Sequence, residues 1–423
     1  MGPAPGRHAD GGSTVRTTNA LRSWVPLAAV WAVTRLALLL FVLGVWDFPG
    51  PDVTSDVSVI YRDWHHVLRT GTFPAHDVTW QYPPGAAFAV LSPDLLPFLD
   101  YPTAFYVLAC AADLAVLVLL GYAARRPGRS WAGAWVWVAG VPLLGPTVYA
   151  RYDVMVTAVA VAALLAAGRH PRAAGALAGF GAMLKVWPAL LLVGVRRRGA
   201  WLAAALAAAS VAAVFSAAMP GAFAFLRFQR DRGMEVESLG ALVLHVVRHA
   251  GWEGEVRLHY GSVEFLGPYV GVLSAVSLAL TGAAFGWLLL WRLAASRFSA
   301  RTAADAAFVA VLMFTVTSRV LSPQYLVWLI GLAAVCRCHR AGRMRVPVAL
   351  VLAASLVTVL EFPVWFADVV ASDPRGVTLL FVRNGLLVAA ALTAARVLWR
   401  DTVRRTGPAR TEPERAGEAP ATP

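Results

Sequence analysis

The sequence predicts an all-α, multi-pass membrane protein, and its composition gives the main reason. Of the 423 residues, 58% are hydrophobic and only 14% are charged, whereas soluble globular proteins carry about 25% charged residues. The mean hydropathy is +0.62, and the apolar residues form runs of about 20, the length of a membrane-spanning helix. These observations exclude a soluble enzyme, a disordered chain and a fibrous protein.

The basic residues indicate which side of the membrane each connection occupies. The net charge is +13, and Lys185 is the only lysine among 37 basic residues. The arginines stand in short clusters between apolar runs, which is typical of cytoplasmic connections in membrane proteins. A nucleic-acid-binding protein would instead gather them on one soluble face with interleaved aromatic residues. We therefore expect membrane lipids as partners, no nucleic acid, and both termini in the cytoplasm.

A path of ten spans places every arginine cluster on the cytoplasmic side. The first span begins at Trp24 after three arginines, and it is too long, and lacks the cleavage site, for a signal peptide. Each later span runs between a basic connection and an acidic or short one. The predicted spans are residues 24–46, 102–123, 131–149, 152–167, 201–218, 269–291, 303–316, 321–335, 346–360 and 377–399.

One further apolar segment, residues 173–195, has arginines at both ends. Both ends are then cytoplasmic, so the segment does not cross the membrane once. Lys185 and Pro188 lie in its middle, and proline disrupts the interior of a helix. The pattern predicts a broken re-entrant helical hairpin that enters the membrane and turns back.

The outer side is predicted to carry two large loops. The first, residues 47–101, has seven aspartates against Arg62 and Arg69. Within it, residues 84–98 are apolar but too short to span, which predicts a half-helix or an interfacial segment. The second loop, residues 219–268, has mixed charge and several aromatic residues.

The spans and loops together form a single predicted transmembrane domain over residues 23–400. Residues 1–22, rich in glycine, proline and serine, are predicted to be a disordered cytoplasmic lead. Residues 401–423, rich in arginine, proline and glutamate, are predicted to be a disordered cytoplasmic tail.

Asp56 is the main candidate for chemistry in the first loop. Apolar residues after it recur at helical spacing, which predicts a short amphipathic helix with Asp56 at or near its N-terminus. The helix dipole favours a carboxylate there, so the side chain can act as a helix cap or as a catalytic group. Both interpretations stay open. The residues at this spacing are Val57, Ile60, Tyr61, Trp64 and Leu68.

Other charges near the outer ends of the spans are functional candidates, because charge in a membrane is costly. Arg151 and Asp153 lie at an outer junction, where they form either a local ion pair between helices or part of a site. Arg319 stands near the helix-breaking Pro323 and either contacts a phosphate at two points or anchors at the headgroups. Arg383, one turn into the last span, has the same two interpretations.

Three charges lie deeper. We interpret Lys185 as extending toward the cytoplasmic headgroups, with contact to a substrate as the alternative. Arg35 and Asp113 are both in mid-span, and we expect them to pair because two unpaired buried charges would be expensive. No set of ligands has metal-binding spacing, so no cofactor is predicted, and a divalent cation held by the outer aspartates stays open.

The sequence resembles the actinobacterial membrane glycosyltransferases of the GT-C superfamily, specifically glycosyltransferase family 87. The resemblance runs from about residue 25 to about residue 400 and depends on the order and spacing of short motifs. His76 departs from the expected pattern, Pro-Tyr-x-Asp, before Asp77. The motifs are Asp56 to Tyr61, Gly71 to Asp77, Tyr82 to Gly85, Arg151 to Asp153, Gly179 to Pro188, Arg232 to Ser238, Leu321 to Tyr325 and Arg383-Asn384.

The resemblance implies a GT-C-like fold with an extracytoplasmic active site and inversion at the transferred sugar. The implied donor is a polyprenyl-phosphate sugar, in the first place mannose, and the acceptor is a lipid or a glycan. The implied catalytic base is an acidic residue of the first outer loop, which by position is Asp56, with Asp52 and Asp63 as open alternatives. Arg319 and Arg383 are candidates to stabilise the leaving phosphate. The other candidate substrate-binding residues are Tyr61, Asp63, Asp77, Tyr82, Arg151, Asp153, Lys185, Glu237, Gln324 and Tyr325.

Three other functions are compatible with parts of the sequence. An arabinofuranosyltransferase would use the same lipid carrier. A transporter or flippase would suit the charges within the spans, but no repeat relates the two halves and the polar residues are concentrated in the outer loops. A non-catalytic subunit of envelope assembly would not need the carboxylate at Asp56.

Overall fold

The computed structural model describes residues 11–228 and 232–403, with side chains from Trp24 onward. Residues 1–10 and 404–423, which belong to the predicted disordered ends, lie outside the described residues, as do residues 229–231. The first helix begins at Gly11 and so extends into the predicted disordered lead.

The described chain is mainly α-helical. The first half contains α1 (Gly11–Val42), α2 (Arg62–Arg69), α3 (Ala86–Leu91), α4 (Tyr101–Ala124), α5 (Ala132–Gly140), α6 (Asp153–Ala166), α7 (Pro171–Leu184) and α8 (Arg198–Ala218). The second half contains α9 (Phe225–Phe228), α10 (Ala241–Arg248), α11 (Val270–Ala294), α12 (Thr302–Thr317), α13 (Tyr325–Arg337), α14 (Arg345–Val359), α15 (Phe366–Ala371) and α16 (Pro374–Thr402). Shorter 3₁₀ or π turns are Asp56–Tyr61, Ser92–Leu95, Val141–Val148, Trp187–Leu192 and Leu360–Val364.

Six helices in the described part of the chain are long and apolar enough to cross a membrane. These segments are Trp24–Val42, Tyr101–Ala124, Arg198–Ala218, Val270–Ala294, Arg345–Val364 and Pro374–Thr402. Shorter apolar helices, some of which lie where the remaining spans were predicted, are Ala86–Leu95, Ala132–Val148, Asp153–Ala166, Thr302–Thr317 and Tyr325–Arg337. The predicted multi-pass helical membrane protein is confirmed.

The predicted broken hairpin is also confirmed. Helix α7 ends at Leu184, Lys185 is extended, and the turn Trp187–Leu192 folds back so that Pro188 packs against Gly181. At the far end of this return, the carbonyl of Val195 accepts a hydrogen bond from Arg292 in the last turn of α11, with a donor–acceptor distance of 3.1 Å.

Close packing of α7 on α8 explains why the chain must return. A Cβ at Gly175 would overlap the carbonyl of Ala200, and a Cβ at Gly179 would overlap that of Ala204. Because the contacts advance by four residues along both helices, α7 and α8 run parallel, and the segment between them has to travel back to the starting side. Small residues on facing helices allow backbones to approach closely in membranes.

The two mid-span charges pair as predicted. Arg35 Nε lies 2.7 Å from Asp113 Oδ2, and the two residues are 1% and 0% exposed. The carboxylate also accepts hydrogen bonds from Trp31, Trp137 and Tyr149. The pair joins α1 to α4 with its polar atoms satisfied, the condition under which buried charge is tolerated.

The first outer loop begins with the predicted amphipathic helix. A π turn over Asp56–Tyr61 continues directly into α2, whose Trp64 and Leu68 are buried. The apolar stretch that follows forms only α3 and the short turn Ser92–Leu95, so it is too short to span, as predicted. This arrangement leaves Asp56 at the start of a helix beside the membrane domain.

The second outer loop contains strands that the all-α prediction omits. Strands β1 (Met234–Glu235), β2 (Glu255–His259) and β3 (Ser262–Leu266) form an antiparallel sheet in the order β1-β3-β2. A tight turn with positive φ at Tyr260 and Gly261 joins β2 to β3. The buried face of this sheet packs against the last helices and forms a second core with Met234, Val236, Phe265, Val369 and Leu380.

His245 connects parts of this second core through two hydrogen bonds. Its Nδ1 lies 2.8 Å from Ser372 Oγ and its Nε2 lies 2.9 Å from the carbonyl of Val236. The carbonyl can only accept, so Nε2 carries the proton, and Nδ1 accepts from the serine hydroxyl. Burial, aided by Arg248 and His249, lowers the pKa of His245 to about 4.

The second core should therefore lose stability at acidic pH. The ordinary pKa of histidine is about 6.5, and the folded value is lower, so the stabilisation is complete above pH 6.5 and is lost as the pH falls toward 4. We expect wild-type protein to lose about 3 kcal/mol over this window, a loss that His245→Gln should not show. Thermal unfolding of both proteins from pH 7.5 to pH 4 measures the difference. Equal losses in the two proteins would contradict the prediction.

Candidate active site

A cavity of about 730 Å³ opens between the two large loops, residues 47–101 and 219–268, and the adjoining ends of the membrane helices. The first loop contributes Asp56, the break in the hairpin contributes Lys185, and the turn between β2 and β3 contributes Tyr260 and Gly261. The charges on its wall are balanced, which suits a substrate with both polar and charged parts. The charged residues that line it are Asp52, Asp56, Arg151, Lys185, Arg232, Glu235, Glu237 and Arg319.

Arg151 orients the Asp56 carboxylate. Arg151 Nε lies 2.8 Å from Asp56 Oδ2, and Arg151 Nη1 donates to the carbonyls of Val53 and Ala150. The turn that begins at Asp56 is preceded by Ser55, which makes no side-chain cap hydrogen bond. The Asp56 side chain is 30% exposed, so a substrate hydroxyl can reach it.

Lys185 lies at the base of the cavity. The interpretation that it extends to the cytoplasmic headgroups is wrong, because its Nζ lies 2.7 Å from the buried Asp153 Oδ1. The same oxygen accepts a hydrogen bond of 2.6 Å from Trp328 Nε1. Four aromatic rings surround the ammonium group at 5.1 to 5.4 Å, those of Tyr82, Tyr152, Tyr325 and Trp328.

The two ion pairs share one short segment. One of the two interpretations of Arg151 and Asp153 was a local ion pair between helices. Instead, each of them binds a partner from a different part of the chain. Arg151 holds Asp56 of the first loop, and Asp153 holds Lys185 of the hairpin. The residues from Arg151 to Asp153, at the start of α6, therefore fix the Asp56 carboxylate and the Lys185 ammonium group in one cavity.

Strand β1 places the carboxylate of Glu235 on the cavity wall. Glu235 is 3% exposed, and its Oε1 accepts a hydrogen bond of 2.6 Å from Ser322 Oγ. Its backbone N–H donates to the carbonyl of Arg319. Burial raises the pKa of Glu235, and the nearby Arg232 opposes that shift. The contacts connect the second outer loop to the junction before α13.

Two guanidinium groups line the side of the cavity formed by the second loop. Arg232 Nε lies 2.8 Å from Glu264 Oε1, and Arg232 Nη2 donates to Ser262 Oγ. Glu264 is fully buried and also accepts from the backbone N–H of Gly233. Arg319 is half-buried on the same wall. Guanidinium groups held in this way can bind phosphate oxygens at two points.

The comparisons with known proteins identify the family. The model of glycosyltransferase family 87 matches residues 80–323, more than half of the 423-residue chain. The chain belongs to glycosyltransferase family 87. No curated protein matches the sequence. Among solved structures, ArnT from Cupriavidus metallidurans bound to undecaprenyl phosphate is similar at a TM-score of 0.43 and 15% identity, over 91% of this chain and 77% of that chain.

The family assignment confirms that the protein is a glycosyltransferase. The family match begins at residue 80, so Asp56 and Tyr61 lie before it. Their place in the site depends on geometry and on the resemblance of the first-loop motif.

Most of the predicted site residues of this family 87 enzyme meet at the cavity, but not all. Asp63 is exposed and is not on the cavity wall, because α2 buries the opposite face through Trp64. Asp77 accepts hydrogen bonds from Trp64 Nε1 and from Thr79, and thereby holds the loop instead of facing the cavity. Asp153 is buried, pairs with Lys185 and is not on the cavity wall. The predicted residues that line the cavity are Asp56, Tyr61, Tyr82, Arg151, Lys185, Glu237, Arg319, Gln324 and Tyr325.

Arg383 is not placed to bind a leaving phosphate. It is fully buried behind Glu237, pairs with Glu361 at 3.1 Å, and donates to the carbonyl of Glu237. Two carboxylates therefore surround this guanidinium group, and one of them, that of Glu237, lies on the cavity wall. Burial raises the pKa of Glu237, and the neighbouring Glu361 adds to the rise. Arg383 supports the wall of the site, and the prediction of direct phosphate contact is wrong.

The structure offers no obvious metal centre within residues 11–228 and 232–403. In these ranges no group of three or more histidine, cysteine, aspartate or glutamate side chains is arranged to hold a metal ion. The three cysteines are free.

Proposed function

We propose that this glycosyltransferase transfers mannose from a polyprenyl phosphate to a hydroxyl group of a lipid or glycan, on the extracytoplasmic side and with inversion. The observation that carries the proposal is the Asp56 carboxylate, oriented by Arg151, in a cavity that also contains three further cationic side chains. Family membership supports sugar transfer, and the motif resemblance supports the lipid-linked donor.

The distribution of basic residues supports an outer active site. Arg129 contacts His339, and Arg301 and Arg343 both pair with Asp401. These residues lie in the connections rich in arginine, which the positive-inside rule places in the cytoplasm. The cavity is built from the large loops that follow α1 and α8, at the other ends of the helices. Both termini are then cytoplasmic.

The proposed reaction is a single displacement. An acceptor hydroxyl oxygen bonds to the anomeric carbon, and its proton passes to Asp56 as general base. The bond from the anomeric carbon to the phosphate oxygen breaks, and its electron pair leaves with the polyprenyl phosphate. Arg232, Arg319 and Lys185 stabilise the charge that develops on this phosphate. Attack from the side opposite the leaving group inverts the anomeric configuration.

Sugar transfer by purified protein tests the proposal. The protein is mixed with radiolabelled polyprenyl-phosphate-mannose and cell-envelope lipids, and we expect label in a new lipid or glycan product whose anomeric configuration is opposite to that of the donor. Labelled polyprenyl-phosphate-arabinose is the comparison donor. Transfer from arabinose alone would overturn the choice of sugar. Movement of the lipid across vesicles without transfer would overturn the enzymatic assignment of the site.

A further inference from the structure

We propose that Glu235 recognises the donor sugar by accepting a hydrogen bond from one of its hydroxyl groups. This inference rests on the proposed function, since it assigns a further residue to the same site. The sequence motifs contain Glu235, but the predicted binding residues do not include it. The inference comes from one unsatisfied atom and from the groups around it.

The unsatisfied atom is Glu235 Oε2. It is buried and has no hydrogen-bond partner among the described residues, whereas Oε1 of the same carboxyl group accepts from Ser322. The residue is 3% exposed and lines the cavity. A buried acceptor without a partner costs about 1–3 kcal/mol, so a group that donates to Oε2 on binding is favoured.

The surroundings restrict what that group can be. Glu235 lies near the cationic Arg232 and Lys185. Its carboxyl group attracts a hydrogen-bond donor and disfavours direct contact with a second anion, so we expect the phosphate of the donor to contact the guanidinium groups instead of Oε2. A sugar hydroxyl both donates a proton and is small enough to share the cavity with that phosphate. Loss of such a hydroxyl is penalised strongly, because the buried acceptor is then left unpaired.

Two fixed contacts hold Glu235 in position for this role. Its backbone N–H donates to the carbonyl of Arg319, with a distance of 3.1 Å between nitrogen and oxygen. Its Oε1 is held by Ser322 in the motif before α13. The carboxyl group therefore cannot rotate freely toward solvent, and Oε2 is directed by the fold.

Deoxy donors provide the test. Wild-type protein, Glu235→Gln and Ser322→Ala are assayed with polyprenyl-phosphate-mannose and with its monodeoxy analogues at each sugar hydroxyl. We expect wild type to lose kcat/KM by about 10- to 100-fold on one analogue, the range of a hydrogen bond to a charged group. Glu235→Gln should lose a similar factor on the full sugar and little more on that analogue. Ser322→Ala should show the same selectivity with a smaller loss.

The controls separate this inference from the proposed function. Glu255→Gln changes an exposed glutamate on β2 and should match wild type on every donor. Losses by Glu235→Gln that are equal on all donors, or no loss at all, would overturn the role of Glu235 even if the variant folds. If wild-type protein transfers no mannose from the full donor, the proposed function itself has failed.

Discussion

Replacing Asp56 by asparagine is expected to lower kcat by about 10²- to 10⁴-fold, the usual contribution of a general base. Asparagine has nearly the same shape and can still accept a hydrogen bond from Arg151, so the protein should remain folded in the membrane. The measurement is the rate of sugar transfer at saturating donor and acceptor, together with the melting temperature of the purified variant.

The neighbouring carboxylates are the matched controls for this variant. Asp63→Asn changes an exposed residue outside the cavity and should keep wild-type activity. Asp52 lines the cavity, but its Oδ1 already accepts two hydrogen bonds from Thr54. We therefore expect only a small loss for Asp52→Asn. A near-normal rate for Asp56→Asn combined with an inactive Asp52→Asn would transfer the role of base to Asp52.

Replacing Lys185 by methionine is expected to cause the second large effect. Asp153 would remain buried without its cation, and breaking a buried pair in this way typically costs about 3–5 kcal/mol. Transfer should also fall, by about 10²-fold, because the departing phosphate loses a nearby positive charge. Thermal unfolding and the transfer rate measure the two effects separately.

The double variant Lys185→Met with Asp153→Asn distinguishes stability from chemistry. It removes both charges, so most of the lost stability should return, and an amide at position 153 can still accept from Trp328. Transfer should stay low. Recovery of wild-type transfer by the double variant would mean that Lys185 acts only as the partner of Asp153.

Whole-chain charge rules predicted much of this architecture. The re-entrant helical hairpin was predicted from the arginines at both ends of one apolar segment. The positive-inside rule assigns both ends to the same side of the membrane, whatever the position of the turn between them. Arg35 and Asp113 could be paired from sequence because an unpaired charge at mid-span is very unfavourable. Helical spacing after Asp56 marked the start of an amphipathic helix, and the family resemblance implied the role of Asp56 as base.

The depth of side chains within the site was harder to predict. Lys185 was assigned to the cytoplasmic side from the nearby arginines, but 14 helical residues precede it in α7, and a rise of about 1.5 Å per residue carries it roughly 21 Å. This length of α7 indicates that Lys185 lies far from the arginines at the start of the helix. Arg383 was placed near the surface of the last span, but packing of Glu237 and Glu361 around it could not be predicted from spacing along the chain.

The strands in the second loop and Glu235 were missed for a related reason. Apolar and polar residues alternate on either side of Tyr260-Gly261, which is a signal for a β-hairpin. The apolar residues are Val256 and Leu258 before this turn, and Val263 and Phe265 after it. The mixed charge of the loop obscured this pattern. The position of Glu235 depends on β1, a strand of two residues that has no periodicity of its own.

The three residues from Arg151 to Asp153 hold Asp56 and Lys185 in place independently of the loops that form the rest of the cavity. They set the spacing between the Asp56 carboxylate and the Lys185 ammonium group through two short side-chain contacts, while much of the cavity wall comes from loops distant in the sequence. Exchange of residues 219–268 between homologous enzymes should therefore leave the placement of Asp56 and Lys185 unchanged, while it alters the wall of the cavity that contains Arg232, Glu235 and Tyr260.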